Sequence, residues 1–469
     1  MLDRFRGIAA AAPGATALID AASGEITSRE TLAARGDALA ARLHDAGLRE
    51  GDLVAVRLPN SVNFVAAFIA ALKLRLVFVP IDRDAPETEV AAILTHFGVR
   101  ALVYKSNGSV AVSTRGVDVR WSGGQVVEHP TTRSPDHRTT ALPPDARLLR
   151  LTSGSTGKPK GIATSEKNLI ADCSQICATM GIRCDDINFG AIPFSHSYGF
   201  SNLVMPLLLQ GTAVVMSNDY LPQSVVDNCN RHHCTVFPGI PMVFDHLVSA
   251  ASGNFRTVRT FLSAGAPLLA STSRRFRERF GSAIHTFYGC SECGGITYDR
   301  EGAAVERGTV GAALDGVSLS FNHTRLVIDS ASVALGYLHD ANTFQPFADG
   351  RFMADDLALL RDDGELALTG RASDLIITAG KKVNPREVEQ IILQIDGVRQ
   401  AKVYGEPAGA RGEVVAAAIV ANPDVTREQV RAFCRERLSL HKVPRIVKLI
   451  EQIPVDERGK VKRAALALL

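Results

Sequence analysis

Long apolar runs are missing from this 469-residue chain: the longest, residues 64–81, is broken by Lys73 and Arg75, so no membrane span is expected. Residues 1–15 lack the basic start and extended apolar core of a secretory signal and carry an acid at Asp3. Cysteine is sparse and irregularly placed, with eight in all, which argues against a disulfide framework and for reduced thiols and a cytoplasmic address. An excess of charge of one sign is missing too. With 52 Lys and Arg against 49 Asp and Glu, net +3, charge alone implies neither a nucleic-acid nor a membrane-surface partner. No solenoid-type repeat is present. Disordered, collagen-like and coiled-coil classes are excluded by 46% hydrophobic and 22% charged residues. A soluble enzyme or binding protein remains, long enough for about three compact units.

What is present is layered. Residues 52–58 read as a strand, 61–74 as a largely apolar helix and 76–81 as a buried strand. Residues 86–99 then place Val90, Ile93, Leu94 and Phe97 at helical spacing before a strand at 101–105. This alternation predicts an α/β fold with much parallel sheet. Residues 106–145, rich in Ser, Gly, Thr, Pro and Asp, read as loop with short strands. The alternation resumes after Leu151 and continues to about Phe287, and 308–369 is rich in short β segments.

A boundary is expected at 370–374. Beyond it, Asn384-Pro385 opens a helix with Val388, Ile391, Ile392 and Ile395 on one face, and Thr426 with Gln429 forms a capping box. Residues 374–469 hold 17 Lys and Arg against 12 Asp and Glu, leaving 35 against 37 elsewhere. A basic small unit beside a slightly acidic large one suits a polyanionic ligand, or is simply a solvated basic surface.

The strongest local signal is Leu151-Thr-Ser-Gly-Ser-Thr-Gly-Lys-Pro-Lys-Gly161. Glycines let backbone N–H groups converge on an anion, hydroxyls donate, and lysines neutralise charge, so the segment reads as a phosphate cradle. It is not a Walker A loop, because Lys158 is followed by Pro159 rather than Ser or Thr. The segment resembles the phosphate loop of the adenylate-forming superfamily: acyl-CoA and aryl-CoA synthetases, adenylation domains of peptide synthetases, and luciferases.

Further blocks of that family follow in order. Pro193-Phe-Ser-His-Ser-Tyr-Gly-Phe200 resembles the block bordering the acyl pocket, and Tyr288-Gly-Cys-Ser-Glu292 the block that stacks adenine, touches the α-phosphate and holds Mg²⁺. Gly350-Arg-Phe-Met-Ala-Asp-Asp-Leu357 resembles the block with a ribose-binding aspartate. Gly370-Arg-Ala-Ser-Asp-Leu-Ile-Ile-Thr-Ala-Gly380 resembles the hinge block, and Ile453-Pro-Val-Asp-Glu-Arg-Gly-Lys-Val461 the terminal block with the catalytic lysine. Ala354-Asp355 stands where Thr-Gly is usual, Ser373 where Asp or Lys is common, and Asp456 where Thr is usual.

The resemblance implies an acetyl-CoA synthetase-like α/β architecture: a large multi-subdomain body, 1–372, and a small mobile α+β domain, 373–469. It implies Lys460, Glu292 and Lys158 as catalytic residues. Nucleotide binding falls to Thr152, Ser153, Gly154, Ser155, Thr156, Gly157, Lys160, Tyr288, Ser291, Asp356 and Arg371, and Mg²⁺ to Glu292 and Thr152. His196, Ser197, Phe237, Gly239, Ser263, Ala264 and Gly265 match the acyl-pocket wall, Gly380 the thiol tunnel and Ser373 the hinge. Standing alone, Asp356 would read as a turn aspartate and Lys460 as a solvated lysine.

The implied activity is ATP-dependent activation of a carboxylic acid to an acyl-adenylate, followed by transfer to a thiol. No carboxylate lies between Pro193 and Pro206, where amino-acid-activating relatives use one, so a non-amino acid, aryl or medium acyl, is preferred. Coenzyme A is the first acceptor considered, and a carrier-protein phosphopantetheine or another nucleophile the second. A non-catalytic nucleotide-binding protein is the reading of a different class. Cys290 and Cys293, or His232-His233-Cys234, lack a second correctly spaced pair for zinc. Cys173 and Cys177 read as small core residues.

Overall fold

The computed structural model describes residues 1–106, 109–114, 120–122, 125–127, 140–153, 159–378, 381–407 and 413–454. Gly154, Ser155, Thr156, Gly157, Lys158, Gly380 and Lys460, and the side chain of Ser153, lie outside that set. The chain packs as two units: Met1–Leu319 with Ile328–Phe352, and Ser320–Val327 with Met353–Leu469.

The first unit holds two large sheets among the described residues. The nine-stranded sheet has a parallel centre, in the order Ile284–Cys290, Thr260–Ser263, Val236–Gly239, Ile187–Gly190, Ala213–Met216 and Thr16–Asp20. Its flanking strands Gly294–Tyr298 and Ile26–Ser28 run antiparallel to their neighbours. Val236–Gly239 and Thr260–Ser263 are buried at every position, as expected when helices cover both faces of a parallel sheet. One face packs a core that includes Phe189, Phe237, Phe244, Phe261 and Phe276.

The eight-stranded sheet runs Thr343–Pro346, Gly336–Asp340, Pro159–Ser165, Ala146–Ser153, Val77–Pro80, Leu53–Arg57, Ala101–Ser106 and Ser109–Thr114. The helix expected at 61–74 is Val62–Lys73, capped by the Ser61 side chain. It is buried from Phe64 to Leu72, which its nearly continuous apolar sequence requires. Phe64 and Phe68 meet Phe78 edge-on, while Phe68 also meets Phe200 at 4.9 Å between ring centres. This helix therefore joins the core of the second sheet to the segment that follows Ile187–Gly190.

In the second unit, helices Pro385–Ile392 and Arg427–Arg437 pack on the sheet Val398–Pro407, Glu413–Ala421, Ile446–Leu449. The Asn384 side chain caps the first helix and the Thr426/Gln429 capping box forms at the second. Val388, Ile392 and Ile395 are buried with Val403, Val415 and Val430, giving this unit its own core. The unit also takes in residues ahead of 373, among them strand Leu366–Arg371, which pairs antiparallel with Arg351–Leu360.

Candidate active site

Strand Ala146–Ser153 enters the site from the second sheet. It pairs antiparallel with Pro159–Ser165 along its whole length, up to Ser153 opposite Pro159. Thr152 lies opposite Lys160 and its Oγ1 donates to the Lys160 carbonyl at 3.4 Å. Lys160 Nζ stands 5.4 Å from the centre of the Tyr337 ring. The Tyr337 hydroxyl in turn donates to Glu292 Oε1 at 2.8 Å. Burial beside the Glu292 charge pushes the Tyr337 hydroxyl far above the ordinary phenol range, so it stays a donor.

Glu292 and Ser291 occupy the turn between Ile284–Cys290 and Gly294–Tyr298. The Glu292 carbonyl accepts from the Ala334 amide at 2.8 Å, fixing the turn from outside. Ser291 Oγ is 2.7 Å from Ser197 Oγ. The resemblance placed Ser197 on the acyl wall and Ser291 at the α-phosphate, and the structure brings the two hydroxyls into contact. Tyr288 sits half-buried two residues before the strand ends, opposite Thr297.

The segment carrying His196 and Ser197 turns sharply. At Gly199 a Cβ would lie 2.1 Å from the Pro193 carbonyl oxygen, so no side chain fits. A π-helical stretch, Phe200–Val204, follows; such insertions frequently mark functional sites. His196 Nε2 lies 3.3 Å from Asp82 Oδ2, both side chains partly exposed. The Tyr198 hydroxyl donates to the Leu262 carbonyl at 3.1 Å, and its ring meets Phe287 at 5.8 Å. Burial raises the Tyr198 hydroxyl well above its ordinary range.

At the carboxyl edge of the parallel strands, Gly239, Ser263 and Thr286 are consecutive register partners. Ser263 Oγ and Thr286 Oγ1 are buried and have no hydrogen-bond partner among the described residues. Two such hydroxyls stand where open parallel sheets receive ligands. Ala264 is anchored through its amide to the Gly239 carbonyl at 3.3 Å, and Gly265 has φ +84°, a left-handed conformation that favours glycine. Phe237 is placed differently from its expected position on the wall. Its ring has no exposed surface and stacks on Phe189 at 5.2 Å, inside the core.

Behind the turn are two charges that the sequence reading overlooked. Arg150 is 5% exposed and Asp172 3%. Arg150 Nη1 donates to the Ser291 carbonyl at 3.1 Å, while Asp172 accepts from the Gly295 amide at 2.8 Å and from Ser201 Oγ at 2.6 Å. Burial pushes the Asp172 carboxyl up, opposed by Arg150 and by the two hydrogen bonds. It lowers the Arg150 guanidinium, opposed by Asp172, Cys290 and Glu292. The available signals were a charge within Leu148-Leu149-Arg150-Leu151 and an acid on the buried face of helix Glu166–Met180.

In the second unit, Asp356 and Arg371 are register partners, with Arg371 Nε 3.0 Å from Asp356 Oδ1. Ser373 donates its hydroxyl to Asp355 Oδ2 and its amide to Asp355 Oδ1 at 3.2 Å. Two of the departures from the family pattern thus meet one another.

Glu292 and Thr152 supply hard oxygen donors, a carboxylate and a hydroxyl, which fit Mg²⁺. The eight thiols are free, and Cys290, hydrogen-bonded to Cys293 and half-buried, is held well above the usual thiol range. Among the described residues no cluster of three or more His, Cys, Asp or Glu could hold a metal, and no helix is long and apolar enough to cross a membrane.

Comparison with known proteins gives a family model described as "AMP-binding enzyme" matching residues 5–337, and one described as "AMP-binding enzyme C-terminal domain" matching residues 387–460. The chain is 29% identical over 476 residues to a "Naringenin synthase" of Pestalotiopsis fici, which takes in 92% of this chain but 17% of that protein. A "Feruloyl-CoA synthase" of Amycolatopsis sp is 28% identical over 453 residues, 90% of each chain. The solved structure of ATP-bound MatB from Rhodopseudomonas palustris has the same fold, with TM-score 0.80, 24% identity and coverage of 100% and 98%.

Proposed function

This chain belongs to the AMP-binding enzyme family, and from that premise we propose that it is an AMP-forming acid–thiol ligase of the acyl-CoA synthetase type. Its acid is a non-amino carboxylic acid, aryl or medium acyl, and its thiol is that of coenzyme A. The observation that carries this reading is the meeting of three family blocks at one turn: Ser197 on Ser291, and Lys160 with Tyr337 beside Glu292.

A carboxylate oxygen attacks the α-phosphorus of ATP, the bond to the bridging oxygen breaks, and pyrophosphate leaves with the electron pair. The thiolate, its proton released to solvent, then attacks the acyl carbon and AMP leaves with the bonding pair of the mixed anhydride. Negative charge gathers at the α-phosphoryl group in the first step, so fixed donors and cations there lower the barrier. We assign that role to Lys158, Lys160 and Lys460, with the Ser291 hydroxyl on the α-phosphate and Tyr288 against adenine. Glu292 and Thr152 would hold Mg²⁺, which when bound neutralises phosphate charge.

Asp356 is assigned the ribose hydroxyls, and the Arg371 contact holds its carboxylate in place. Ser373 is the proposed hinge between 1–372 and 373–469, and Gly380 the thiol passage. Asp82, a carboxylate beside the acyl block, is engaged by His196, in keeping with an acid that brings no amine. Cytoplasm is the proposed location, where ATP and coenzyme A are supplied and free thiols persist.

Pyrophosphate release across aryl, medium-chain and short acids tests the reading, followed by mass spectrometry with coenzyme A or a holo-carrier protein. Acid-dependent release with an acyl-CoA product is expected. Transfer to the holo-carrier alone would move the acceptor to a carrier protein. Silence across every acid would favour a nucleotide-binding protein without turnover.

A further inference from the structure

The chemistry assigned above uses neither Arg150 nor Asp172, yet both are ionisable and almost fully enclosed. Enclosing an ion costs several kcal/mol even after relaxation, and apolar residues of similar shape often serve stability as well or better. The placement of these two charges is specific. On strand Ala146–Ser153, alternation turns Arg150 to the same face as Thr152, and its Nη1 reaches the Ser291 carbonyl. From helix Glu166–Met180, Asp172 takes the Gly295 amide on Oδ1 and the Ser201 hydroxyl on Oδ2.

The segment 291–295 is thus gripped at both ends, with Glu292 between the grips. Gly294 has φ +73°, and a Cβ there would lie 2.1 Å from Asp172 Oδ1, so the approach of Asp172 requires glycine twice over. Through Ser201, Asp172 also reaches the π-helical stretch that follows Ser197, whose hydroxyl meets Ser291. One buried anion therefore ties together the two segments that supply the serine pair.

We infer that Arg150 and Asp172 are positioning residues, a buried cation–anion brace that fixes Ser291 and Glu292 for the nucleotide while touching neither substrate nor reacting atoms. The inference rests on the assignment of Ser291 and Glu292 to the nucleotide and its metal.

The test is the double variant Arg150→Met with Asp172→Asn, which removes both charges and leaves no lone buried ion. Its melting temperature should stay near that of the parent chain. Mg·ATP affinity by calorimetry, which needs no turnover, should fall about 10-fold or more, as is usual when groups supporting a metal ligand are lost. The kcat for pyrophosphate release should fall with it while KM for the acid barely changes, and Arg150→Lys, which keeps the charge, should recover part of the loss. A folded double variant with parental Mg·ATP affinity and kcat would overturn the inference. If the double variant does not fold, Ser201→Ala, which deletes one bond to Asp172, should show a smaller loss of Mg·ATP affinity, and unchanged affinity would overturn it. A parent chain that binds Mg·ATP but releases no pyrophosphate with any acid would sink the activity reading, while the calorimetric comparison would still decide the brace.

Discussion

The turn at 291–294 and the segment at 371–374 both carry residues assigned to adenylate chemistry, but they are held in different ways. The first is fixed by Arg150 and Asp172, each nearly enclosed, and by a glycine that no other residue can replace. The second is held by Arg371, 57% exposed, and by surface contacts of Ser373 with Asp355. Buried charges hydrogen-bonded to the turn tolerate little displacement, although Arg150 Nε itself has no partner among the described residues, whereas exposed ion pairs contribute about 1 kcal/mol or less and exchange readily. The described ties are therefore buried at the turn assigned to the phosphates and partly exposed at the segment assigned as hinge, where rearrangement would cost less.

The contrast is open to attack by mutation, starting with the largest effect. Arg150→Met alone removes the charge-assisted bond to the Ser291 carbonyl and the Coulombic support of Asp172, and should cost about 2–3 kcal/mol in denaturant unfolding. A loss near zero would mean that Asp172 is neutral and the brace misread. Next, Lys460→Ala should lower adenylation on the order of 10²–10³-fold, as loss of a preorganised donor does, yet still transfer a preformed acyl-adenylate to the thiol. Equal loss of both half-reactions would contradict the assignment.

Asp186 offers an intermediate case. Burial alone would raise its carboxyl, but bonds from Thr235 at 2.7 Å, the Arg183 amide at 2.8 Å and Arg259 at 2.6 Å outweigh it and leave the group below its usual range. A depressed carboxyl stabilises the fold above its unfolded pKa of about 3.9, and that stabilisation is lost as pH falls through the folded value. Asp186→Asn should therefore cost about 1–2 kcal/mol at pH 7, because Arg259 is partly exposed. The gap to the parent chain should close below about pH 4, and a gap independent of pH would refute the account. Smallest of all, Arg371→Ala should change unfolding by about 1 kcal/mol or less. A larger loss would mean that the two segments are equally fixed.

Local chemistry was legible in the sequence where partners are close along the chain. The Thr426/Gln429 capping box and the helix after Asn384 have their signals within a few residues, and both form as read. The buried helix Val62–Lys73 was visible because nearly all its residues are apolar. The ordered blocks also identified Ser197, Ser291, Glu292 and Lys160, which the fold does assemble around one turn. Arg150 and Asp172 escaped because their partners lie 141 and 123 residues away in sequence. Tyr337 carries no local mark of its bond to Glu292, 45 residues distant. Phe237 was placed on the pocket wall by the resemblance alone, and its strand, buried at every position, offers no alternation to show which side a ring takes.

The central claim is that this chain joins a carboxylic acid to a thiol through an adenylate. Its most direct test incubates the purified protein with ATP, Mg²⁺, coenzyme A and a panel of acids, and quantifies pyrophosphate, AMP and acyl-CoA together. The account predicts equal amounts of AMP, pyrophosphate and one acyl-CoA, appearing only with the matching acid. Release of ADP and phosphate, or no nucleotide turnover with any acid, would contradict it.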